Sequence, residues 1–310
     1  RLCVLPDFLR HVEPMPLTEE QCHFRKQLTT KATLRQYARA RGEILKRLVC
    51  VLDDYLDLPE YGIVEADPSS DEAIERGAER CRAEWGLGWG PISNVTRVAE
   101  NAGAVVMRVN GLANEVDAVS FATRRPVIAL NGEGRSACRA RFGVAHELGH
   151  FALHIGVLTG DRLTEGQANR FASAFLLPRA SFIAESHKAI RRSRLNWDGL
   201  SELKLRWGVS KAAILYRGRQ LGVFTDDQVR SGYITLNRHG EAVEENEDKL
   251  MELERPELVS DGLQVMREQL GVSYAAVARK MHVQPRLLDS LLGQASSTNT
   301  SNNVVNLFAT

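Results

Sequence analysis

Residues Ala145–His154 read A-H-E-L-G-H-F-A-L-H. His146 and His150 stand four positions apart in a proline-free run that reads as helix. At about 100° and about 1.5 Å per residue, this spacing puts both imidazoles on one face, one turn apart, able to grip a single ion. Glu147 lies beside them, where a carboxylate reaches a water on that ion without being a ligand. His154 continues the stripe by one turn. It either supports the site or contacts substrate, or it is a helix-end histidine favoured by the dipole.

The arrangement is the H-E-x-x-H of zinc peptidases. Such sites use three protein ligands and keep a fourth position for water. Downstream runs Glu165-Gly-Gln-Ala-Asn169-Arg-Phe-Ala-Ser-Ala-Phe-Leu-Leu-Pro178, which predicts a second helix over Thr164–Leu177, closed by Pro178. A loop of this length lets it fold back antiparallel and aim Glu165 at the ion. Asn169, one turn later on the same face, is placed to hydrogen-bond a ligand histidine from behind. Ala168, Phe171, Ala172 and Phe175 form the packing stripe. Glu165 alone would read as an ordinary helix N-terminal carboxylate; His146 and His150 upstream favour a ligand.

Working outward, Ala104–Val109, Asp117–Phe121 and Pro126–Leu130 are strand-like, with turn residues Asn110-Gly111 and Asn131-Gly132 after two of them. They predict a small antiparallel meander that leads into the His146 helix. Pro68-Ser-Ser-Asp starts a helix to about Trp85, and Pro91 opens another through Ala102. Residues 1–18 read as an extended lead-in, and 19–58 as a long helix carrying Leu34, Ala38, Ile44, Leu45, Leu48, Leu52 and Leu56. After Pro178, helices are expected through about Gly222. Glu241–Glu257 is acidic and part loop, Ser260–Leu292 is helical, and the tail from Gln294, rich in Ser, Asn and Thr, is expected to be mobile.

The bulk numbers bound the class. In 310 residues, 44% are hydrophobic and 25% charged, normal for a globular chain with a real core. A net charge of +1 argues against a generally basic nucleic-acid binder. The five cysteines (Cys3, Cys22, Cys50, Cys81, Cys138) are odd in number and scattered without C-x-x-C, which supports neither a disulfide framework nor a Cys-rich zinc site. No apolar run approaches the ~18–20 residues of a membrane span, and no signal peptide opens the chain. A cytoplasmic protein with no membrane partner is expected.

H-E-L-G-H-F-A-L-H followed by E-x-x-A-N-x-F-A-x-x-x-L-L-P resembles the ImmA/IrrE metallopeptidases. Arg141-Phe142-x-x-Ala145, Ala129-Leu130-Asn131 and Trp207-Gly-Val-Ser210-x-Ala-Ala-x-x-Tyr216-Arg217-x-x-x-Leu221-Gly222 are also similar. The resemblance covers roughly residues 70–235. It implies a zinc-dependent endopeptidase of gluzincin type, whose members typically cut a Xre-type repressor. Some carry a fused helix-turn-helix; if one belongs to this protein, it is expected upstream of Arg1. Gln167 departs from the pattern, many relatives having an acid there, and this leaves Glu165 as the good third ligand.

The expected chemistry follows. Zn²⁺ on His146, His150 and Glu165 lowers the pKa of its water from 15.7 toward ~7, and Glu147 acts as general base, then acid. Mn²⁺ is the alternative ion, since imidazole and carboxylate accept several metals. A second oxyanion donor is needed, and Tyr216, His187 and Arg217 are candidates. The strand Pro126–Leu130 is expected to border the cleft and to offer an edge for strand addition.

The rival reading uses residues 179–219, with ten Lys/Arg against three Asp/Glu, including Lys188, Arg191, Arg192 and Arg194. Basic helices over 179–221 would then serve a DNA-binding or partner-sequestering regulator with a non-catalytic metal site, and Tyr274–Leu292 is a second possible helix-turn-helix. Packed helical hairpins explain the same segments, with non-specific DNA contact still open to the basic cluster. The expected fold is α+β, mostly helical, with a small antiparallel β-sheet packed on the H-E-x-x-H helix. The expected division is a helical lead-in (1–66), a metallopeptidase domain (67–235), an acidic linker with a helical segment (236–293) and a flexible tail (294–310).

Overall fold

The computed structural model describes residues 3–10, 16–18, 22–24, 32–110, 118–122, 124–132 and 136–292. The tail from Gln294, Gly111 of the expected turn and Asp117 of the expected second strand lie outside these. In chain order the elements are α1 (Pro6–Arg10), β1 (Cys22–Phe24), α2 (Ala32–Tyr55), α3 (Asp71–Glu84), α4 (Val95–Asn101), β2 (Val105–Val109), β3 (Ala118–Ala122) and β4 (Pro126–Asn131). Then come α5 (Ala137–Leu153), α6 (Arg162–Leu176), α7 (Arg179–Ser186), a 3₁₀ turn (His187–Ala189), β5 (Ile190–Arg191), β6 (Arg194–Leu195), α8 (Trp197–Trp207), α9 (Lys211–Gln220) and α10 (Asp226–Arg238). A second 3₁₀ turn (Asn246–Leu250) leads to α11 (Leu258–Glu268), α12 (Tyr274–Lys280) and α13 (Pro285–Leu292).

The fold is α+β and mostly helical. Its sheet runs β1-β3-β4-β2 and is mixed rather than antiparallel. β3 and β4 form an antiparallel hairpin, but β4 turns back alongside β2 and runs parallel to it, Val105 opposite Val127. The meander expectation is therefore corrected. The reason is visible in the cores: alternate residues of these strands face two apolar layers. Val106, Ala118, Ile128 and Leu130 pack in the layer of α5, whereas Val105, Met107, Val119, Phe121, Val127 and Ala129 pack with α2 and α11–α13. Strands buried on both faces read as continuous apolar runs, with no alternation to reveal pairing order or direction.

Three further expectations change. The lead-in includes the helix α1, and Val4 bridges to Val283. Among the described residues the long helix expected from residue 19 spans Ala32–Tyr55, and Cys22–Phe24 joins the sheet as a strand. The helical run after Pro178 is interrupted by the β5–β6 hairpin, whose tip, Arg192 and Ser193, takes left-handed φ of 49° and 61°. Among the described residues, no helix is long and apolar enough to cross a membrane.

Buried charge clamps these layers. Arg217 is fully buried on Glu75 and the Leu177 carbonyl. Lys204 and Lys211, also buried, hold Glu245 and Glu241 of the acidic segment. Arg141 binds the carbonyls of Gly208 and Ile92 and pairs with Glu254. Three of the basic residues counted toward a DNA-facing surface are thus internal, while Arg191, Arg192 and Arg194 remain exposed.

Candidate metal centre

Ser136 caps α5 by accepting from the Arg139 amide, and Asp161 caps α6 by accepting from the Thr164 amide. The two helices cross closely at Gly149, where an added Cβ would lie 3.1 Å from Phe171 Cβ and 3.2 Å from the Ala168 carbonyl. This approach carries Glu165 to the histidines. His146 Nε2 and His150 Nε2 are 3.0 Å apart, and the Glu165 carboxylate lies 3.5 Å from the first and 3.3 Å from the second. In a tetrahedral zinc site with bonds of about 2.0–2.1 Å, ligand atoms stand about 3.3–3.4 Å apart. The three side chains are spaced for one ion.

The atoms behind the ligands decide which way the ring protons point. Gln167 Nε2 donates to the Pro68 carbonyl, so its Oε1 must be the atom 2.9 Å from His154 Nε2. His154 Nε2 then carries a proton and its Nδ1 accepts from His150 Nδ1, 3.0 Å away. His150 Nε2 is left with a lone pair facing Glu165. Asn169 Oδ1, 3.0 Å from His146 Nδ1, does the same for the other ring. Burial pushes His150 down to about 4, keeping it neutral at physiological pH, and also lowers His154. Two lone pairs facing a carboxylate repel one another, and only a cation among them relieves this. Glu165 Oε1 is in addition buried without a well-directed hydrogen bond. The donor set fits a divalent metal.

Residues 99–218 match the family model Peptidase_M78, the IrrE N-terminal-like domain. This segment is similar to the ImmA/IrrE family. No curated protein matches the chain. The family match makes the segment metallopeptidase-like and implies a divalent metal, for which His146, His150 and Glu165 are the cluster present.

In this ImmA/IrrE-like segment Glu147 is buried beside the cluster but outside it, and its Oε2 accepts from the Ser120 hydroxyl of β3. Sequence reading missed Ser120; its one signal was a hydroxyl inside the apolar run A-V-S-F-A. It also missed what Gln167 does, noting only the departure. β3 is the strand whose Ser120 hydroxyl reaches Glu147. β4 is paired on both sides, so the edge expected at Pro126–Leu130 does not exist. The outer edge of β3 carries the chain's own β1, with His23 in register opposite Ser120.

The three candidate donors separate. Arg217 is locked in its buried pair, and exposed His187 turns its Nδ1 to the Ala184 carbonyl. Tyr216 lines a cavity together with Asn169. Burial pushes its phenol up, so the hydroxyl stays protonated and able to donate.

Proposed function

We propose that the chain is a metal-dependent endopeptidase that cuts a regulatory protein at one site, a Xre-type transcriptional repressor, in the cytoplasm. Zinc is the ion favoured by two imidazoles and one carboxylate, with manganese the alternative. One observation carries the reading: His146, His150 and Glu165 converge, while Glu147 stands buried beside them without joining the cluster. A structural zinc needs no such extra carboxylate.

When bound, the ion supplies a water of lowered pKa and polarises the peptide carbonyl. Ser120 donates to Glu147 Oε2 and so orients the carboxylate that takes a proton. Glu147 then returns that proton to the leaving amine. Asn169 and His154 keep the ligand rings in the tautomer the ion requires. Tyr216 is the remaining candidate for donation to the developing oxyanion.

The test is incubation of wild type and Glu147→Gln with the Xre-type repressor encoded nearest to the gene, with added zinc or manganese, read on a gel. Wild type yields a discrete fragment pair, and the variant is slower by about 10²–10⁴-fold. Metal bound at one equivalent in both proteins with no cleavage by either would overturn the peptidase reading.

A further inference from the structure

The metal-binding face of α5 does not end at His146. Phe142 lies one turn before it and Arg139 nearly one turn further back, on the same side of the helix. Along this stretch runs a cavity of about 310 Å³, walled by Phe142, Asn169, Ala213, Tyr216 and Val243. Its size is at the lower end of ligand sites. Asn169 belongs to both places: it lines the cavity and holds His146 Nδ1. Phe142 and Asn169 thus place the cavity within one helical turn of His146 along α5.

The chemistry of the wall selects what enters. Three carboxylates border the cavity, but each is spent on groups of the chain itself. Glu241 binds Lys211 and Asn246. Glu245 takes Lys204 and the amides of Lys211 and Ala212. Asp248 takes Lys204 and the Glu245 amide. The hydroxyls of Ser136 and Ser210 are likewise engaged as helix caps. A lysine-like cation entering here would lose water and meet no carboxylate that is not already engaged, at a heavy cost. The phenyl ring and the methyl groups remain to receive a guest.

We propose that this cavity is the specificity subsite of the peptidase read above and takes an aliphatic side chain of leucine or methionine size, next to the bond that is cut. The proposal rests on that reading for its substrate, and on the cavity for its selectivity.

The experiment needs no turnover. Peptide hydroxamates of one backbone, bearing an isobutyl, methyl or aminobutyl side chain beside the hydroxamate, are titrated into the zinc-loaded protein by calorimetry. The isobutyl compound binds at least about ten-fold more tightly than the methyl one, as burial of three more carbons dictates, and more tightly than the aminobutyl one. Ala213→Phe, which fills the cavity, abolishes the isobutyl preference while zinc stoichiometry stays at one; Ala213→Leu, a milder filling, reduces it. Equal affinities, an aminobutyl preference, no hydroxamate binding, or selectivity unchanged in a zinc-loaded Ala213→Phe protein would each overturn the subsite. Selective binding without repressor cleavage would sink the peptidase reading and leave the subsite standing. Cleavage without selectivity would do the reverse.

Discussion

The Pro68 carbonyl orients the Gln167 amide, and through His154 that choice reaches the lone pair of His150. Groups that hold ligand histidines from behind typically change metal affinity by about 10–100-fold when removed. Gln167→Leu and His154→Phe are each expected to weaken zinc binding by about that factor, measured by competition with a chelator, with helical content unchanged by circular dichroism. Gln167→Glu still accepts from His154 but repels the Pro68 carbonyl, and its loss is expected to be smaller. Wild-type affinity in all three would show that the ring orientation has another origin. His146, Glu147 and His150 were legible because one helical turn is a local property. Glu165 and Asn169 were legible by the same spacing on the next helix. Ser120 was not, because only strand pairing brings β3 to Glu147, twenty-seven positions away.

The pairing of α5 with α6 depends on a residue that has no side chain. Gly149→Ala forces its Cβ against Phe171 and the Ala168 carbonyl, and is expected to destabilise by about 1–3 kcal/mol, as overpacking does. It should also weaken metal binding, since it pushes Glu165 from the histidines. Gly143→Ala, on the same helix, meets nothing within 4 Å and is expected to be neutral or stabilising by up to about 1 kcal/mol. Urea denaturation of both variants separates the cases; equal effects would mean that the glycine serves flexibility and not contact. Helices α5 and α6 were readable from the residue period and from the closing Pro178. The sheet order was not, since strands covered on both faces by α5 and α2 give an apolar run without direction. The β5–β6 hairpin escaped notice because each strand has two residues.

Across the molecule, the carboxyl of Glu100 joins α4 to α11 by accepting from the Glu257 and Leu258 amides, both on Oε1. Burial pushes this carboxyl up to about 7, with Arg97 opposing and Asp261 adding to the rise. Its folded value therefore exceeds its unfolded one. Between about 4.5 and about 7 the folded chain keeps a proton that the unfolded chain has released, so stability falls as pH rises through that window and stays lower above it. Glu100→Gln keeps an acceptor oxygen and removes the titration. Relative to wild type, its stability is expected to improve between pH 5 and pH 8 by on the order of 2–3 kcal/mol, measured by denaturant unfolding. A constant difference at both pH values would refute this assignment. Burial of this kind also disposes of much of the basic character of residues 179–219. Lys204, Lys211 and Arg217 face Glu245, Glu241 and Glu75, the last 142 positions away. By itself the sequence determined the helical periodicity, the helix breaks at proline and the metal-ligand spacing, each set by backbone geometry within a turn or two. Tertiary structure alone decided the strand order, the Ser120 and Gln167 contacts, the internal fate of the basic residues and the cavity beside Asn169. Those depend on groups far apart in the chain, brought together by burial, which local spacing does not encode.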